Sequence, residues 1–164
     1  MDTAGITELK KRLQTLPPRA LVDICLRLAR FKKDNKELLH YVLFESDQEQ
    51  EYKRQLKQWL NTEFEELNAA NTYQARKTIK RILGRLSKQL RYSGIKETEA
   101  ELLICFCTLL LQHTGLLRTN SLIRNQFLRQ LKKAETAVSK LHADLQYDFS
   151  QQLEPLQLFA EKYR

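Results

Sequence analysis

The amino-acid sequence predicts an all-α protein: a single-domain multi-helix bundle or an irregular α-α superhelix of six to eight helices, with a long C-terminal helix. Two observations predict this class. Only four glycines and three prolines interrupt the 164 residues, and apolar residues recur three and four positions apart along the whole length. No repeat of fixed period is present in the sequence, so a regular solenoid is not expected. The length suits one hydrophobic core, and residues 1–164 are expected to form a single helical domain.

The first three helices are predicted from apolar spacing and from helix-breaking residues. A short helix begins at Ile6 and ends before Pro17, because proline cannot continue the hydrogen-bond ladder of a helix. Pro18 suits the first turn of a second helix, which runs through Phe31. A third helix follows through Leu43 and is expected to be capped by Asn35.

The central helices are predicted from caps and from the apolar pattern between them. Ser46 and Glu49 form a capping box, which predicts the start of a fourth helix. A fifth helix runs from about Thr72 to Tyr92, and Gly94 is expected to end it in a left-handed conformation. The sixth helix, from about Glu97 to His113, is apolar on all sides. This pattern places it at the centre of the fold.

The last helix is predicted to start at a cap formed by Asn120 or Ser121, and Pro155 is expected to kink or end it. Within it, six residues form a narrow apolar seam with alternating spacings of four and three: Phe127, Leu131, Ala134, Val138, Leu141 and Leu145. The seam packs either against the protein's own bundle or against the same seam of a second copy, which would make a homodimer. Ala134 would allow two helices to approach closely.

A concentration of positive charge marks the fifth helix. The segment from Ala75 to Lys96 holds eight positive side chains and no acid, which equals the net charge of +8 of the whole chain. On a helical wheel, most of these cations lie away from the apolar positions Ile79, Ile82 and Leu86. With a tyrosine at each end they form the basic face of helix five: Tyr73, Arg76, Lys77, Lys80, Arg81, Arg85, Lys88, Arg91 and Tyr92. Such a face suits a nucleic-acid backbone, with tyrosines to stack on bases.

Two acidic trios offer a different explanation for the basic face of helix five. They precede and follow helix five: Glu63, Glu65 and Glu66, then Glu97, Glu99 and Glu101. In an antiparallel bundle the trios would neutralise the cations near the two ends of the helix, which are Arg76, Lys77, Lys88 and Arg91. Lys80, Arg81 and Arg85 would then be left over. The face is therefore a paired and solvated surface, a polyanion site or a site for an acidic protein, and the sequence leaves all three open.

The sequence carries no catalytic or metal-binding motif. His40, His113 and His142 are far apart and lack the spacing of a metal site, and no glycine-rich phosphate loop is present. We therefore predict no enzyme activity, no metal, no cofactor and no small-molecule substrate.

The cysteines and the apolar segments indicate a cytoplasmic protein. Cys25, Cys105 and Cys107 show neither disulfide nor zinc spacing, and are expected to be free and buried in a reducing compartment. No export signal is predicted from the first residues. The longest apolar run, 102–111, is about half of the roughly 20 residues that cross a bilayer. No membrane partner is expected.

The first third of the chain carries a recurring pattern: LKKRLQTLPPRALVDICLRLARFKKDNKELLHYVLF. A short helix, a turn, an amphipathic leucine-rich helix and a K-x-N-K-E segment follow one another, and the positions that carry the pattern are Leu16, Leu21, Ile24, Leu28, Lys33, Asn35, Lys36, Glu37 and Leu38. Over about forty residues this segment resembles an uncharacterised family of bacterial all-helical proteins, a domain of unknown function. The resemblance implies a bacterial, cytoplasmic protein without an assigned activity.

Together these observations predict a non-catalytic helical protein-interaction module whose partner is another protein or a second copy. The alternative is a nucleic-acid-binding protein that uses the basic face of helix five.

Overall fold

The computed structural model describes residues 2–163, and within that range the chain forms nine α-helices and no β-strand. The helices are α1 Ile6–Gln14, α2 Pro18–Phe31, α3 Lys33–His40, α4 Glu49–Glu65, α5 Thr72–Ser93, α6 Lys96–Gln112, α7 Thr114–Thr119, α8 Ser121–Val138 and α9 Ala143–Glu161. A π-helical turn, Tyr41–Glu45, and a 3₁₀ turn, Ser46–Gln48, join α3 to α4. The all-α class is confirmed. The helix beyond the expected six to eight is the six-residue α7.

The chain divides into two compact units, of which the first ends at Ser46 and the second begins at Asp47. The sequence predicted one domain over residues 1–164 and did not predict this division into two units. Its physical basis is the distribution of apolar side chains. Among the described residues of the first unit only Tyr41 is buried, whereas the second unit encloses a large hydrophobic core of its own.

The first unit contains α1, α2, α3 and the π-helical turn. Pro18 occupies the first turn of α2, as predicted. Asn35 does not cap α3, because that helix already begins at Lys33. Instead, the Asn35 side-chain amide donates a hydrogen bond of 2.9 Å to the carbonyl of Leu28 in α2. The amide thereby ties the start of α3 to the helix before it.

Helix α6 lies at the centre of the second unit, as its all-round apolar pattern predicts. It packs against each of the other helices of the unit, most extensively against α8. Its side chains Leu102, Ile104, Phe106 and Leu110 are among the largest that are fully buried. The ring of Phe64 from α4 lies edge-on to Phe106, with 5.5 Å between the ring centroids.

Helix α5 is fixed at both ends by caps. The Asn71 side chain accepts a hydrogen bond of 3.1 Å from the backbone N–H of Gln74. At the other end Gly94 adopts the predicted left-handed conformation, with φ of 66°. The face of α5 predicted to be buried is confirmed, since the structure buries Ile79, Ile82, Leu83 and Leu86.

The predicted capping box at the start of α4 is not formed. The Ser46 hydroxyl donates to the carbonyl of Val42, and a 3₁₀ turn separates Ser46 from α4. The Glu49 carboxylate instead accepts hydrogen bonds from the hydroxyls of Ser93, at 2.6 Å, and Thr98, at 2.5 Å. Glu49 therefore joins α4 to α5 and α6.

The long C-terminal helix is interrupted between Val138 and Ala143. Two features stabilise the break. The Ser139 hydroxyl donates to the carbonyl of Thr136, and the Gln146 side chain donates to the carbonyl of Leu141 at 2.8 Å. Pro155 neither ends nor begins a helix but lies inside α9. The turn lets α9 pack against α6 and α8.

The predicted seam of the last helix does not offer a surface to a second copy. Phe127, Leu131, Ala134 and Val138 are buried in the core of the second unit, because α6 lies along α8. The remaining seam positions, Leu141 and Leu145, lie beyond the end of α8 and are half-buried. The seam therefore packs within its own chain, the first of the two alternatives.

Candidate interaction surfaces

Most of the basic face of helix five is exposed on α5. Among the members of this face, Lys88 and Tyr92 are half-buried, and both make contacts with other groups. The exposed members are Tyr73, Arg76, Lys77, Lys80, Arg81, Arg85 and Arg91. The structure thus keeps most of the predicted site on one side of one helix.

Two of these cations are held by α4. The Arg81 guanidinium donates two hydrogen bonds, of 3.0 and 2.6 Å, to the carboxylate of Glu63. The Trp59 indole N–H donates to the same carboxylate at 3.0 Å, and Arg85 lies 4.5 Å above the Trp59 ring centroid. The Arg81 hydrogen bonds lower the pKa of Glu63, against the opposing effect of partial burial. Arg81 and Arg85 were expected to be left over, and they are instead the engaged cations.

The second acidic trio does not neutralise α5. Lys53 of α4 has a side chain only 5% exposed, and its ammonium lies 2.9 Å from Glu97 and 2.6 Å from Glu101. Lys57 also pairs with Glu101, while Glu99 pairs with Lys96. A buried ammonium needs charged partners. Glu97 and Glu101 therefore pair with α4, and Glu99 pairs within α6, contrary to the predicted pairing with Lys88 and Arg91.

Four cations of α5 remain without an acidic partner in the described part of the chain: Arg76, Lys77, Lys80 and Arg91. We call them the α5 strip. It is about 22 Å long, at roughly 1.5 Å per residue. The exposed residues Gly84 and Ser87 lie between its ends. Tyr73, 65% exposed, lies at its beginning.

A second set of cations, which the sequence pattern did not predict as a site, lies on α8 and in the turn that follows it. Arg129, Lys132, Lys133 and Lys140 are exposed and have no acidic partner among the described residues; we call them the α8 strip. Glu135 lies among these cations in the sequence. In the structure Glu135 instead accepts a hydrogen bond of 2.8 Å from Gln157 of α9. The sequence signal that could have identified this set is the spacing of its four cations, which follow one another at intervals of three, one and seven residues.

The first unit carries a large apolar surface. Eleven large apolar side chains of its described residues are at least 40% exposed: Ile6, Leu9, Leu13, Val22, Leu26, Leu28, Phe31, Leu38, Val42, Leu43 and Phe44. A depression of about 440 Å³ between α1 and α2 is lined by Ile6, Leu9, Leu13 and Leu21, with Lys10 and Gln14. Cys25 is also exposed, contrary to the prediction, because this surface of α2 is uncovered.

The three histidines lie in separate local environments. His40 lies 3.7 Å from Glu45, the His113 ring lies 6.1 Å from that of Phe64, and His142 lies 3.5 Å from Asp144. Over residues 2–163 no group of three or more potential ligands is placed to hold a metal ion. Within the same range, every helix is too short or too polar to cross a membrane.

Comparison of the chain with protein families, with curated proteins and with solved structures finds no match to any of them. The candidate surfaces are therefore interpreted from their own geometry and charge.

Proposed function

We propose that this protein is a non-catalytic helical interaction module, and that its first unit binds another protein through the apolar faces of α1 and α2. The proposal includes a bacterial, cytoplasmic setting, in keeping with the resemblance of the first forty residues. The observation that supports it best is the set of eleven exposed apolar side chains in the first unit. The separate local contacts of the three histidines support the non-catalytic part.

The size of the exposed surface supports a protein partner. About half of the area of eleven large apolar side chains is on the order of 1,000 Å². The largest apolar patch of a monomeric protein usually covers roughly 300–600 Å². Each partner in a standard protein–protein interface buries about 800 Å². Summed over the unit, these side chains thus expose about the area that one partner buries in an interface of ordinary size, and seven of the eleven lie on α1 and α2.

The charge around this surface favours an acidic partner. Helices α1 and α2 carry six cations, Lys10, Lys11, Arg12, Arg19, Arg27 and Arg30, against two acids, Glu8 and Asp23. A second copy would bring the same positive charge to the interface, whereas an acidic amphipathic helix would bring apolar and complementary groups together. We therefore infer that the occupant is an acidic amphipathic helix of another protein.

A pair of model peptides tests this proposal. Both form amphipathic helices with the same leucine stripe, and one carries glutamate on its polar face while the other carries lysine. We expect the glutamate peptide to bind in fluorescence anisotropy and the lysine peptide to bind at least tenfold more weakly. The double variant Leu9→Gln, Leu13→Gln is expected to lose binding. A matched control changes Leu122 and Leu158, which are exposed leucines of the second unit.

Each other result contradicts part of the proposal. Equal binding of the two peptides would refute the acidic partner. Absence of binding together with a dimer in light scattering would assign the surface to a second copy. Absence of binding by a monomer would overturn the docking site itself. Circular dichroism of each variant separates lost binding from lost folding.

A second candidate function is nucleic-acid binding by α5, and the observation that favours it is the α5 strip. The test is fluorescence anisotropy of labelled single- and double-stranded nucleic acid against nuclease-treated protein at about 50 mM salt. The variant to compare is Arg76→Glu, Lys77→Glu, Lys80→Glu. Arg81 and Arg85 are left unchanged because they contact Glu63 and Trp59. Binding that the variant removes supports this function, and absence of binding by the unaltered protein refutes it.

A further inference from the structure

We propose that nucleic acid binds along one continuous basic tract, which runs from the α5 strip past Lys96 onto the α8 strip. This inference rests on the second candidate function and extends it to residues of a different helix. It makes α8 part of the binding site, whereas the sequence points to α5 alone.

Two adjoining depressions connect the strips. The first, of about 360 Å³, is lined by Arg91 from the α5 strip, by Lys96 and by Lys133 from the α8 strip. The second, of about 350 Å³, is lined by Lys96 and by all four members of the α8 strip. Lys96 and Lys133 border both depressions. The two depressions therefore place Arg91, at the end of α5, next to the cations of the α8 strip, while Arg76, Lys77 and Lys80 lie further back along α5.

The charge lining the two depressions is almost entirely positive. Glu99 is the one acid among their lining residues, and its carboxylate lies 2.5 Å from the ammonium of Lys96. Glu135 is bonded to Gln157 of α9. Arg129 and Lys133 are one helical turn apart, a like-charge spacing that destabilises a helix. A bound polyanion would offset that cost.

The dimensions and the lining fit a phosphate backbone. From Arg129 to the end of α8 at Val138 the helix advances about 14 Å, which is the length of roughly four phosphates of one strand at 3.4 Å each. Several of the residues between the cations are small, among them Ser87, Gly94, Thr136 and Ala137, while Leu90, Leu103 and Gln130 line the rest of the first depression. Small residues let a backbone approach the helices while long lysine and arginine side chains reach its phosphates.

Two neutralised variants and a control test the tract. The α8 variant is Arg129→Gln, Lys132→Gln, Lys133→Gln, and the α5 variant is Arg76→Gln, Lys77→Gln, Lys80→Gln. The control is Arg54→Gln, Arg118→Gln, Lys162→Gln, which removes three exposed cations elsewhere in the second unit. Affinities for a labelled duplex and for a labelled single strand are measured by anisotropy between about 50 and 200 mM salt.

The salt dependence gives the expected result a magnitude. About eight phosphate contacts, one for each member of the two strips, weaken duplex binding roughly 20,000-fold over this fourfold change in salt, and the roughly five contacts that each variant retains weaken it roughly 500-fold. We expect the unaltered protein and the control to show the steeper dependence. The α8 and α5 variants should each show the shallower one.

The outcomes separate this inference from the function on which it rests. If the α5 variant loses binding and the α8 variant retains the steep dependence, nucleic-acid binding stands and the continuous tract is refuted. If the unaltered protein does not bind at the lower salt, both are refuted. If all three variants lose affinity equally, binding follows net charge and there is no tract. Stronger binding to poly-glutamate than to either nucleic acid would assign the tract to acidic proteins.

Discussion

Replacing Lys53 with methionine is expected to destabilise the second unit by about 3 kcal/mol near neutral pH. Methionine keeps an unbranched side chain that fills nearly the same space and lacks the ammonium, which contacts the carboxylates of Glu97 and Glu101. Removal of one partner from a buried ion pair costs about 3–5 kcal/mol, because the other charge stays buried. Glu101 retains Lys57, and Glu97 is 37% exposed. The lower end of that range therefore applies.

The same ion pairs predict how pH changes the difference in free energy of unfolding between the unaltered protein and the Lys53→Met variant. Burial would lower the pKa of Lys53, but hydrogen bonds to Glu101 and Glu97 outweigh it and raise that pKa above its ordinary 10.5. Burial would raise the pKa of Glu101, but the hydrogen bonds from Lys53 and Lys57 lower it below 4.5. The stabilising effect of Glu101 is present above its ordinary pKa and is lost as pH falls through the lowered value. That of Lys53 is lost only as pH rises above about 10.5.

Urea denaturation followed by circular dichroism measures this effect at about pH 7 and again at about pH 3.5. We expect the free energy of unfolding of the two proteins to differ by about 3 kcal/mol at the higher pH, or roughly 9 °C in Tm, and to differ by less at the lower pH, where Glu101 begins to take up a proton. Adding Glu101→Gln to the methionine variant should recover part of the loss. A difference below about 1 kcal/mol near neutral pH, or one that does not change with pH, would refute the reasoning.

Three further predictions concern a cap, the thiols and the apolar seam. Gly94→Ala should cost about 1 kcal/mol in denaturation, because φ is 66° there, whereas Gly84→Ala, a helical position with open space, should not destabilise. Cys25 should react with a thiol reagent in the folded protein, and Cys107 only on unfolding, because burial raises the pKa of Cys107; equal rates would contradict this burial. Leu131→Asp should unfold the second unit, because Leu131 is buried in its core. If the variant instead stays folded and becomes a monomer while the unaltered protein is a dimer, the seam joins two copies.

The sequence predicts best those features that depend on neighbours along the chain. The buried face of α5, the all-round burial of α6 and the left-handed Gly94 all follow from local spacing or from one residue type. Each of these features was confirmed. Apolar periodicity reports which side of a helix faces a core, whatever the core contains.

The sequence does not predict which partner a charged side chain contacts when the possible partners are far apart in the chain. Glu97 and Glu101 adjoin α5 in the chain, yet they pair with Lys53 and Lys57 of α4. Nothing in the spacing of the acids distinguishes these two arrangements. Glu135 is a similar case, since its bond to Gln157 depends on the turn that brings α9 beside α8. That turn contains neither proline nor glycine, and the basic character of α8 was missed with it.

The small amount of burial in the first unit has a consequence for the energetics of binding. Its helices are 9, 14 and 8 residues long, and isolated helices of such lengths are marginal in water. We expect their amide protons to exchange with solvent faster than those of α6, because few packed side chains oppose local opening. A partner that covers these helices would also order them, so part of the gross binding energy is spent on folding. Complex formation would then show a large negative heat-capacity change and a modest affinity for its area.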